Sequence, residues 1–127
     1  AARVQFGKPI GSFQMVQAML ADMSTRIEAA RALAYRALEA CVSLARGEGG
    51  RGSVHKLCAA ALLNSAEMIA DVTDKAVQIH GGSGFIMETE VNRHYRNAKV
   101  ASIGAGTNEV RRLIIAEELF RERSLKL

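Results

Sequence analysis

The sequence predicts an all-α fold, an up-and-down helical bundle in a single domain over residues 1–127. Its composition is the first reason, because one Pro accompanies abundant Ala, Leu, Met, Glu and Arg, which favour helices. The second reason is periodicity: apolar residues recur at alternating steps of three and four along two long stretches, and no segment shows convincing period-two alternation. The third is length, since 127 residues can bury one core but make two independent cores improbable.

The first long helix is predicted from Ser12 to Arg46. The Ser12 hydroxyl can accept a hydrogen bond from a free amide of the first turn, and Pro9 lies just upstream. Glycines from Gly47 onward end the helix, because Gly adopts a left-handed conformation without a side-chain clash. The apolar seam that predicts its buried face consists of Phe13, Val16, Leu20, Met23, Ile27, Ala30, Ala34, Ala37, Cys41 and Leu44.

The second long helix is predicted to start with Ser53 as its cap and to end at His80. Small residues at positions 59–61 and at Ser65 would let a neighbouring helix approach closely. A loop of about six residues between the two long helices favours antiparallel packing. The second seam consists of Val54, Cys58, Leu62, Ser65, Ile69, Val72, Ala76 and Ile79.

Two shorter helices are predicted after the second one. The first runs from Thr89 to Ala98 with Thr89 as its cap, and a loop of small residues follows from Ile103 to Gly106. Either Thr107 or Asn108 can cap the last helix. The residues expected to face inward from that helix are Val110, Leu113, Ile114 and Leu119.

Composition and charge exclude several classes of protein. Hydrophobic residues make up 49% and charged residues 24%, which argues against disorder. No apolar run approaches the ~18 residues of a membrane span, and the N-terminus lacks the apolar stretch of a signal peptide, so we expect neither a span nor secretion. The net charge of +4 could attract nucleic acid, but 5% aromatic content offers few rings for stacking on bases. A smaller anion, such as a phosphate-bearing cofactor, remains open.

Metal and nucleophile chemistry find little support. His55, His80 and His94 are widely separated, and neither cysteine stands at a ligand spacing from them, so we expect no metal site. No serine or cysteine stands in a nucleophile motif. Cys41 and Cys58 are too few for a disulfide framework, and we expect buried free thiols in a reducing compartment.

Three segments carry residues suited to a phosphate-bearing ligand. Residues 78–84 combine the end of a long helix with glycines, whose amides a ligand can approach without side-chain obstruction. Residues 104–109 lead small residues into a helix start, where free amides and the helix dipole favour an anion. Residues 3–7 add a cation, an amide and an aromatic ring. From spacing alone, plain helix caps and an ordinary chain entry remain alternatives for all three segments.

Taken together, these segments recur in the order and at the separations of one known family. The matching residues are Arg3, Gln5, Phe6, Gly7, Pro9, Ile10, Phe13, Gln14, Leu20, Ala21, Asp22, Met23, Gln78, Ile79, His80, Gly81, Gly82, Gly84, Glu88, Val91, Arg93, Arg96, Ala98, Lys99, Gly106, Thr107 and Glu109. The chain resembles the C-terminal helical domain of the FAD-dependent acyl-CoA dehydrogenases. The resemblance covers essentially the whole chain but only the last third of a family member.

The resemblance implies an enzyme that removes an α-proton from an acyl-CoA thioester while a β-hydride passes to FAD. It implies that Arg3 meets the FAD pyrophosphate of a neighbouring subunit, that Phe6 packs on the adenine end and that Gln14 bonds the cofactor. Further implied cofactor contacts are Gln78, Ile79, His80, Gly81, Gly82, Thr107, Asn108 and Glu109. Because such contacts cross between subunits in the family, a homodimer or a dimer of dimers is implied, with electron-transfer flavoprotein as the electron acceptor.

One position departs from many family members, which carry the catalytic Glu directly before the Gly-Thr pair. That position is Ala105, whose methyl group cannot accept a proton, so we expect no catalytic residue in this chain. Ala105 and Gly106 remain as expected substrate contacts. Residues 104–112 look most like the isovaleryl-CoA dehydrogenase branch, in which the Glu comes from an earlier helix that would precede residue 1. A second departure is Asn97, where Asp is usual.

The resemblance therefore implies an FAD-binding and oligomerisation domain of an acyl-CoA dehydrogenase that acts on short or branched acyl groups. As an isolated fragment it is expected to be inactive. A non-catalytic helical subunit of a heteromeric relative is the alternative, because Ala105 would suit a degenerate chain. The expected compartment is the bacterial cytoplasm or the mitochondrial matrix, since the terminal Leu-Lys-Leu falls short of a Ser-Lys-Leu peroxisomal address.

Overall fold

The computed structural model describes residues 3–125 and, within that range, is dominated by α-helix, as the sequence predicts. Lys126 and Leu127 of the C-terminal tripeptide lie outside the described residues. The elements are β1 (Val4–Gln5), β2 (Lys8–Pro9), a 3₁₀ turn (Ile10–Ser12), α1 (Gln14–Ala45), α2 (Arg51–His80), α3 (Gly82–Phe85), α4 (Glu90–Ile103) and α5 (Asn108–Glu122).

Helix α2 lies at the centre of the bundle. It packs against α1 on one side and against α4 and α5 on the other. Helices α1 and α2 are antiparallel, as predicted: Arg26 pairs with Asp71 at 3.1 Å between Nε and Oδ2, and Cys41 faces Cys58. Helices α4 and α5 follow one another along α2, also antiparallel to it. The described chain is thus an up-and-down bundle whose third rod is broken between α4 and α5.

The buried apolar side chains of the described residues are all small. They are Ala30, Ala37, Ala59, Ala61, Ala66 and Ala98. Because α2 carries helices on two sides, a large side chain at these positions would hold the helix axes apart, whereas a methyl group lets them approach. The expectation that the small residues around position 60 permit close packing is therefore confirmed.

Two predicted N-caps are wrong. Ser12 lies in the 3₁₀ turn, where its hydroxyl donates to the Pro9 carbonyl at 2.7 Å, and α1 begins two residues later. Helix α2 already begins at Arg51 after an extended Gly50, which places Ser53 inside the first turn. By contrast, one of the two predicted caps of α5 is confirmed: Thr107 Oγ1 accepts a hydrogen bond from the Val110 amide at 3.3 Å, whereas Asn108, the alternative, is the first residue of the helix.

Helix α4 differs from its prediction at both ends. Thr89 stands at the cap position, but its hydroxyl donates to the carbonyls of Ser83 and Ile86 instead of accepting from the helix. At the other end the helix continues to Ile103, five residues past Ala98, the predicted end. Before α4, the predicted glycine break contains the single-turn helix α3.

The predicted inward face of α5 is wrong. Val110, Leu113 and Leu119 are 45%, 63% and 42% exposed, and Ile114 is half-buried. The buried residues of this helix are Asn108, Arg111 and Glu118. These polar groups are buried because they bond one another, α4 and α2, which apolar periodicity alone does not reveal. Leu20, Leu62 and Ile69 of the two longer seams are likewise exposed within the described part of the chain.

The N-terminal segment forms a ribbon that the sequence did not predict. Strands β1 and β2 pair antiparallel, with Val4 opposite Pro9, and Phe6 and Gly7 connect them with φ angles of +52° and +74°. Two successive positive φ values are typical of a type I′ hairpin turn. Strands of two residues are too short to show an alternating pattern.

We expect enlargement of a buried alanine to destabilise the bundle, and α1 offers a matched pair of adjacent positions. Ala30 is 3% exposed, whereas Ala29 is exposed. Ala30→Leu should lower the free energy of unfolding by about 1–3 kcal/mol, because the added carbons meet α2. Ala29→Leu should change it by no more than about 0.5 kcal/mol. Urea denaturation followed by circular dichroism measures both, and equal effects would contradict the alanine core.

Candidate functional site

Arg3 lies at the C-terminal end of α2, although 77 residues separate it from its partner there. Its Nη1 donates to the His80 carbonyl oxygen. The same guanidinium lies beside Gly81, where an added Cβ would stand 3.1 Å from Nη1. The structure therefore brings together two of the three predicted ligand segments, residues 3–7 and residues 78–84. We call Arg3 with residues 78–82 the Arg3 corner.

Glycine is required at position 81 for two reasons. Its φ of +60° and ψ of −141° belong to a region that side-chain-bearing residues rarely adopt. A side chain would also displace the guanidinium of Arg3. The next residue, Gly82, has no atoms within 4 Å of its added Cβ position, so its backbone is open to approach. Gln78 and His80 are exposed and Ile79 is half-buried.

The β1–β2 ribbon, which follows Arg3 directly in the sequence, carries an exposed aromatic ring. Phe6, at the turn, is 92% exposed, and its ring meets Phe13 edge-on at 6.2 Å between centroids. The ribbon is held by the Ile10 amide, which donates to the Arg3 carbonyl at 2.9 Å. Gln14, the first residue of α1, is exposed. A cation, open glycine amides and an exposed aromatic ring are the kinds of group that suit a phosphate joined to a planar base.

The loop between α4 and α5 holds a strained residue. Ala105 has φ of +50° and is followed by Gly106 at +91°. The left-handed conformation costs a residue with a Cβ roughly 1–2 kcal/mol. Ala105 lines an open apolar groove of about 460 Å³, with Ile69 of α2 and Val100 of α4 among the other lining residues.

Arg111 holds this loop from beneath. It is 5% exposed, and its Nη1 donates to the Ala101 carbonyl at 2.8 Å and to Asn108 Oδ1 at 2.9 Å, while its Nη2 donates to the Gly104 carbonyl at 3.0 Å. Its Nε has no hydrogen-bond partner in the described part of the chain. A buried cation on the last carbonyls of α4 also complements the negative end of that helix dipole.

The first turn of α5 already carries a carboxylate. Hydrogen bonds from its own backbone amide and from the Thr107 hydroxyl lower the pKa of Glu109, whose side chain is fully exposed. A carboxylate with a lowered pKa is a weaker proton acceptor, so this geometry does not favour Glu109 as a general base. The Asn108 side chain is buried against Arg111, which leaves its backbone as the part that a ligand could reach.

The predicted site residues form two groups on this chain. The Ala105 groove lies beside Ile69, which precedes Gly81 by twelve residues along α2. At a rise of 1.5 Å per residue, about 18 Å separates the groove from the Arg3 corner. The expectation that cofactor contacts cross between subunits stays a prediction.

Sequence reasoning missed the buried charges that organise α5. Glu118 is paired with His55 at 3.2 Å from Nδ1 and with Arg121 at 2.9 Å from Nη1. Both Arg111 and Glu118 stand on the helix face that packs against α2, and a charged residue at such a position is the signal that could have identified them.

No group of three or more His, Cys, Asp or Glu side chains that could hold a metal ion occurs among residues 3–125. None of the helices there is long and apolar enough to cross a membrane.

The family model of the acyl-CoA dehydrogenase C-terminal domain matches residues 1–120. The chain belongs to this family. Mitochondrial isovaleryl-CoA dehydrogenase of Solanum tuberosum is 42% identical over 95% of the chain, which spans 28% of that relative. An acyl-CoA dehydrogenase of Bacillus anthracis solved with FAD has a TM-score of 0.86 and 30% identity over 96% of this chain and 23% of its own. A structure described as the electron transferring flavoprotein of Acidaminococcus fermentans has a TM-score of 0.83 and 39% identity over 94% of this chain and 30% of its own.

These matches confirm the resemblance and its isovaleryl-CoA dehydrogenase branch. The chain spans less than a third of the length of these relatives. Its helices nevertheless superpose on a homologous part of the solved chains over nearly all of their length. The residues predicted to bind a ligand lie at helix ends and in loops of this fold, and their roles stay predictions.

We expect Arg111 to be essential to the conformation of the α4–α5 loop. Arg111→Met removes every donor and leaves three acceptors without their buried partner, so it should lower the free energy of unfolding by about 3 kcal/mol or more. Arg111→Lys keeps the charge but not the planar fork and should be less harmful. Arg112→Met, next in sequence and exposed in its pair with Glu67, should cost at most about 1 kcal/mol. Thermal and urea unfolding test this order, and equal losses at Arg111 and Arg112 would contradict it.

Proposed function

We propose that this chain is the C-terminal, FAD-binding and oligomerisation domain of a flavin-dependent acyl-CoA dehydrogenase. The observation that carries the proposal is the Arg3 corner, where a guanidinium lies against the glycines that follow α2. The FAD in the related Bacillus anthracis enzyme supports the choice of cofactor. FAD, when bound, supplies the acceptor for a hydride from the substrate.

In this proposal the Arg3 corner binds the phosphates of the cofactor. One guanidinium nitrogen is engaged with His80, and Arg3 retains further N–H donors for an anion. Phe6 offers its exposed ring to the adenine end, and Gln14 offers its amide. The second group, Thr107 to Glu109, approaches FAD through the start of α5. Because the two groups lie about 18 Å apart on one chain, we assign them to FAD molecules shared between subunits of a dimer or a dimer of dimers.

The Ala105 groove is assigned to the acyl-CoA substrate. Apolar lining by Ile69 and Val100 suits a hydrocarbon chain, and Ala105 with Gly106 leaves more room than a glutamate would. Ala105 has no group that accepts a proton, and the lowered pKa of Glu109 makes it a weak base. The catalytic carboxylate is therefore assigned to a segment of the polypeptide outside this chain. The isovaleryl-CoA dehydrogenase relative supports a short or branched acyl group.

The alternative function is a non-catalytic helical subunit of a heteromeric acyl-CoA dehydrogenase-like complex. Ala105 favours it, because a subunit that needs no proton acceptor would tolerate a methyl group there.

For the catalytic proposal, the electron acceptor is an electron-transfer flavoprotein, which the relative from Acidaminococcus fermentans supports. The proposed compartment is the mitochondrial matrix or the bacterial cytoplasm.

The activity is tested on the intact polypeptide that contains this chain. With its flavin bound, it should bleach an electron-acceptor dye when given isovaleryl-CoA or butyryl-CoA. A long-chain acyl-CoA should give a kcat/KM at least about tenfold lower, because misfitting methylenes lose transition-state binding. A flavin-loaded protein that oxidises no short, branched or long acyl-CoA would refute the catalytic proposal and favour the alternative.

The cofactor role is tested at Arg3. Arg3→Ala in the intact polypeptide should weaken FAD binding roughly tenfold to a hundredfold, because a phosphate loses a charge-assisted hydrogen bond. Arg3→Lys should retain part of the affinity. Lys8→Ala, an exposed cation of the same ribbon, is the matched control and should have no effect. Flavin absorbance per protein after gel filtration is the measurement, and unchanged flavin content in Arg3→Ala would exclude the proposed role.

A further inference from the structure

Two thiols face each other between α1 and α2. The Sγ atoms of Cys41 and Cys58 lie 3.7 Å apart, and both residues are free cysteines and half-buried rather than fully buried as the sequence predicts. Neither belongs to the Arg3 corner or to the Ala105 groove. Each residue is partly exposed in the described chain.

We propose that Cys41 and Cys58 form an oxidisable dithiol, which a hydroperoxide converts into an intramolecular disulfide that joins α1 to α2. A disulfide needs its sulfur atoms about 2.0 Å apart, so the observed separation must shorten by about 1.7 Å. Rotation about the Cα–Cβ bonds moves each sulfur atom and can bring the two closer together. The antiparallel contact of the helices already holds the two side chains opposite each other.

The reaction balances with one molecule of hydroperoxide. A thiolate sulfur attacks the peroxide oxygen, the O–O bond breaks, and a sulfenic acid and hydroxide form. The second thiol then attacks the sulfenic sulfur, which forms the S–S bond and releases its hydroxyl as water. The proton released by each thiol ends in water. In sum, two thiols lose two electrons and two protons, and hydrogen peroxide becomes two molecules of water.

Burial, a hydrogen bond with Cys41 and repulsion from its charge raise the pKa of Cys58. A thiol with a raised pKa holds its proton, so Cys58 is expected to react slowly with an oxidant. The disulfide would close a loop over residues 42–57, which contains the glycine-rich connection from α1 to α2. About 30 Å of α2 separates Cys58 from His80, so the cross-link restrains the opposite end of the bundle from the Arg3 corner.

The proposal is tested on the intact polypeptide that contains this chain. The protein is treated with hydrogen peroxide, its remaining thiols are blocked with N-ethylmaleimide under denaturing conditions, and it is digested with trypsin. Cleavage at Arg36, Arg46, Lys56 and Lys75 releases residues 37–46 and 57–75 as separate peptides unless a disulfide joins them. We expect one species of their combined mass less two hydrogens, which dithiothreitol separates.

The single variants Cys41→Ser and Cys58→Ser are the controls, and each should abolish the linked species. Oxidation of the native protein should also raise its thermal unfolding midpoint, by up to about 10 °C if this domain unfolds independently, and dithiothreitol should reverse the rise. Recovery of both peptides as maleimide adducts after peroxide treatment would overturn the proposal. Recovery of either cysteine only in a disulfide with another polypeptide, or only as a sulfinic acid, would do so as well.

Discussion

Helix α2 must be covered on two sides, and the rest of the structure depends on that constraint. It is the element that α1, α4 and α5 all contact, so its buried positions lie between helices rather than beneath a single partner. Alanines at positions 59, 61 and 66 meet this demand, and Ala30 and Ala98 do so from the neighbouring helices. Small side chains let the helices approach closely, and the larger apolar residues remain at the margins of each contact.

The connection between α4 and α5 is a loop whose conformation is fixed by the packing around it. The buried Arg111 guanidinium donates hydrogen bonds to two carbonyls at the end of α4 and to the side chain of Asn108. Those bonds set where α4 stops and α5 starts, and the chain between them must turn through Ala105 at a positive φ. A position that many family members use for a catalytic carboxylate is thereby presented beside an apolar groove, with only a methyl group on it.

The ligand segments were recognisable as separate pieces because each has a local signature: glycines after a helix, small residues before one, and a cation near an aromatic ring. Their spatial relations were not recognisable. Arg3 and His80 are separated in the sequence by the whole of α1 and most of α2 but are in contact in the structure. The contact therefore depends on how the ends of the antiparallel pair are aligned. The same alignment places Thr107 to Glu109 well away from the Arg3 corner. The order of the motifs along the chain does not reveal this separation.

The sequence by itself determined the helical class and the two long antiparallel helices, because these depend on local propensity and a short connection, and it determined the family through motifs along the whole chain. It also narrowed the cap of α5 to Thr107 or Asn108, and the structure decides for Thr107. Only the tertiary structure decided which face of α5 is buried. Apolar periodicity predicted Leu113 on the inside, but the hydrogen bond from Arg111 to the Gly104 carbonyl forms only when α4 is in place, and the contact of Glu118 with His55 forms only when α2 is in place. These contacts give the buried polar groups their partners. The tertiary structure likewise decides that the thiols of Cys41 and Cys58 face each other. Their contact depends on the register between α1 and α2, which the spacing of residues along the sequence does not determine.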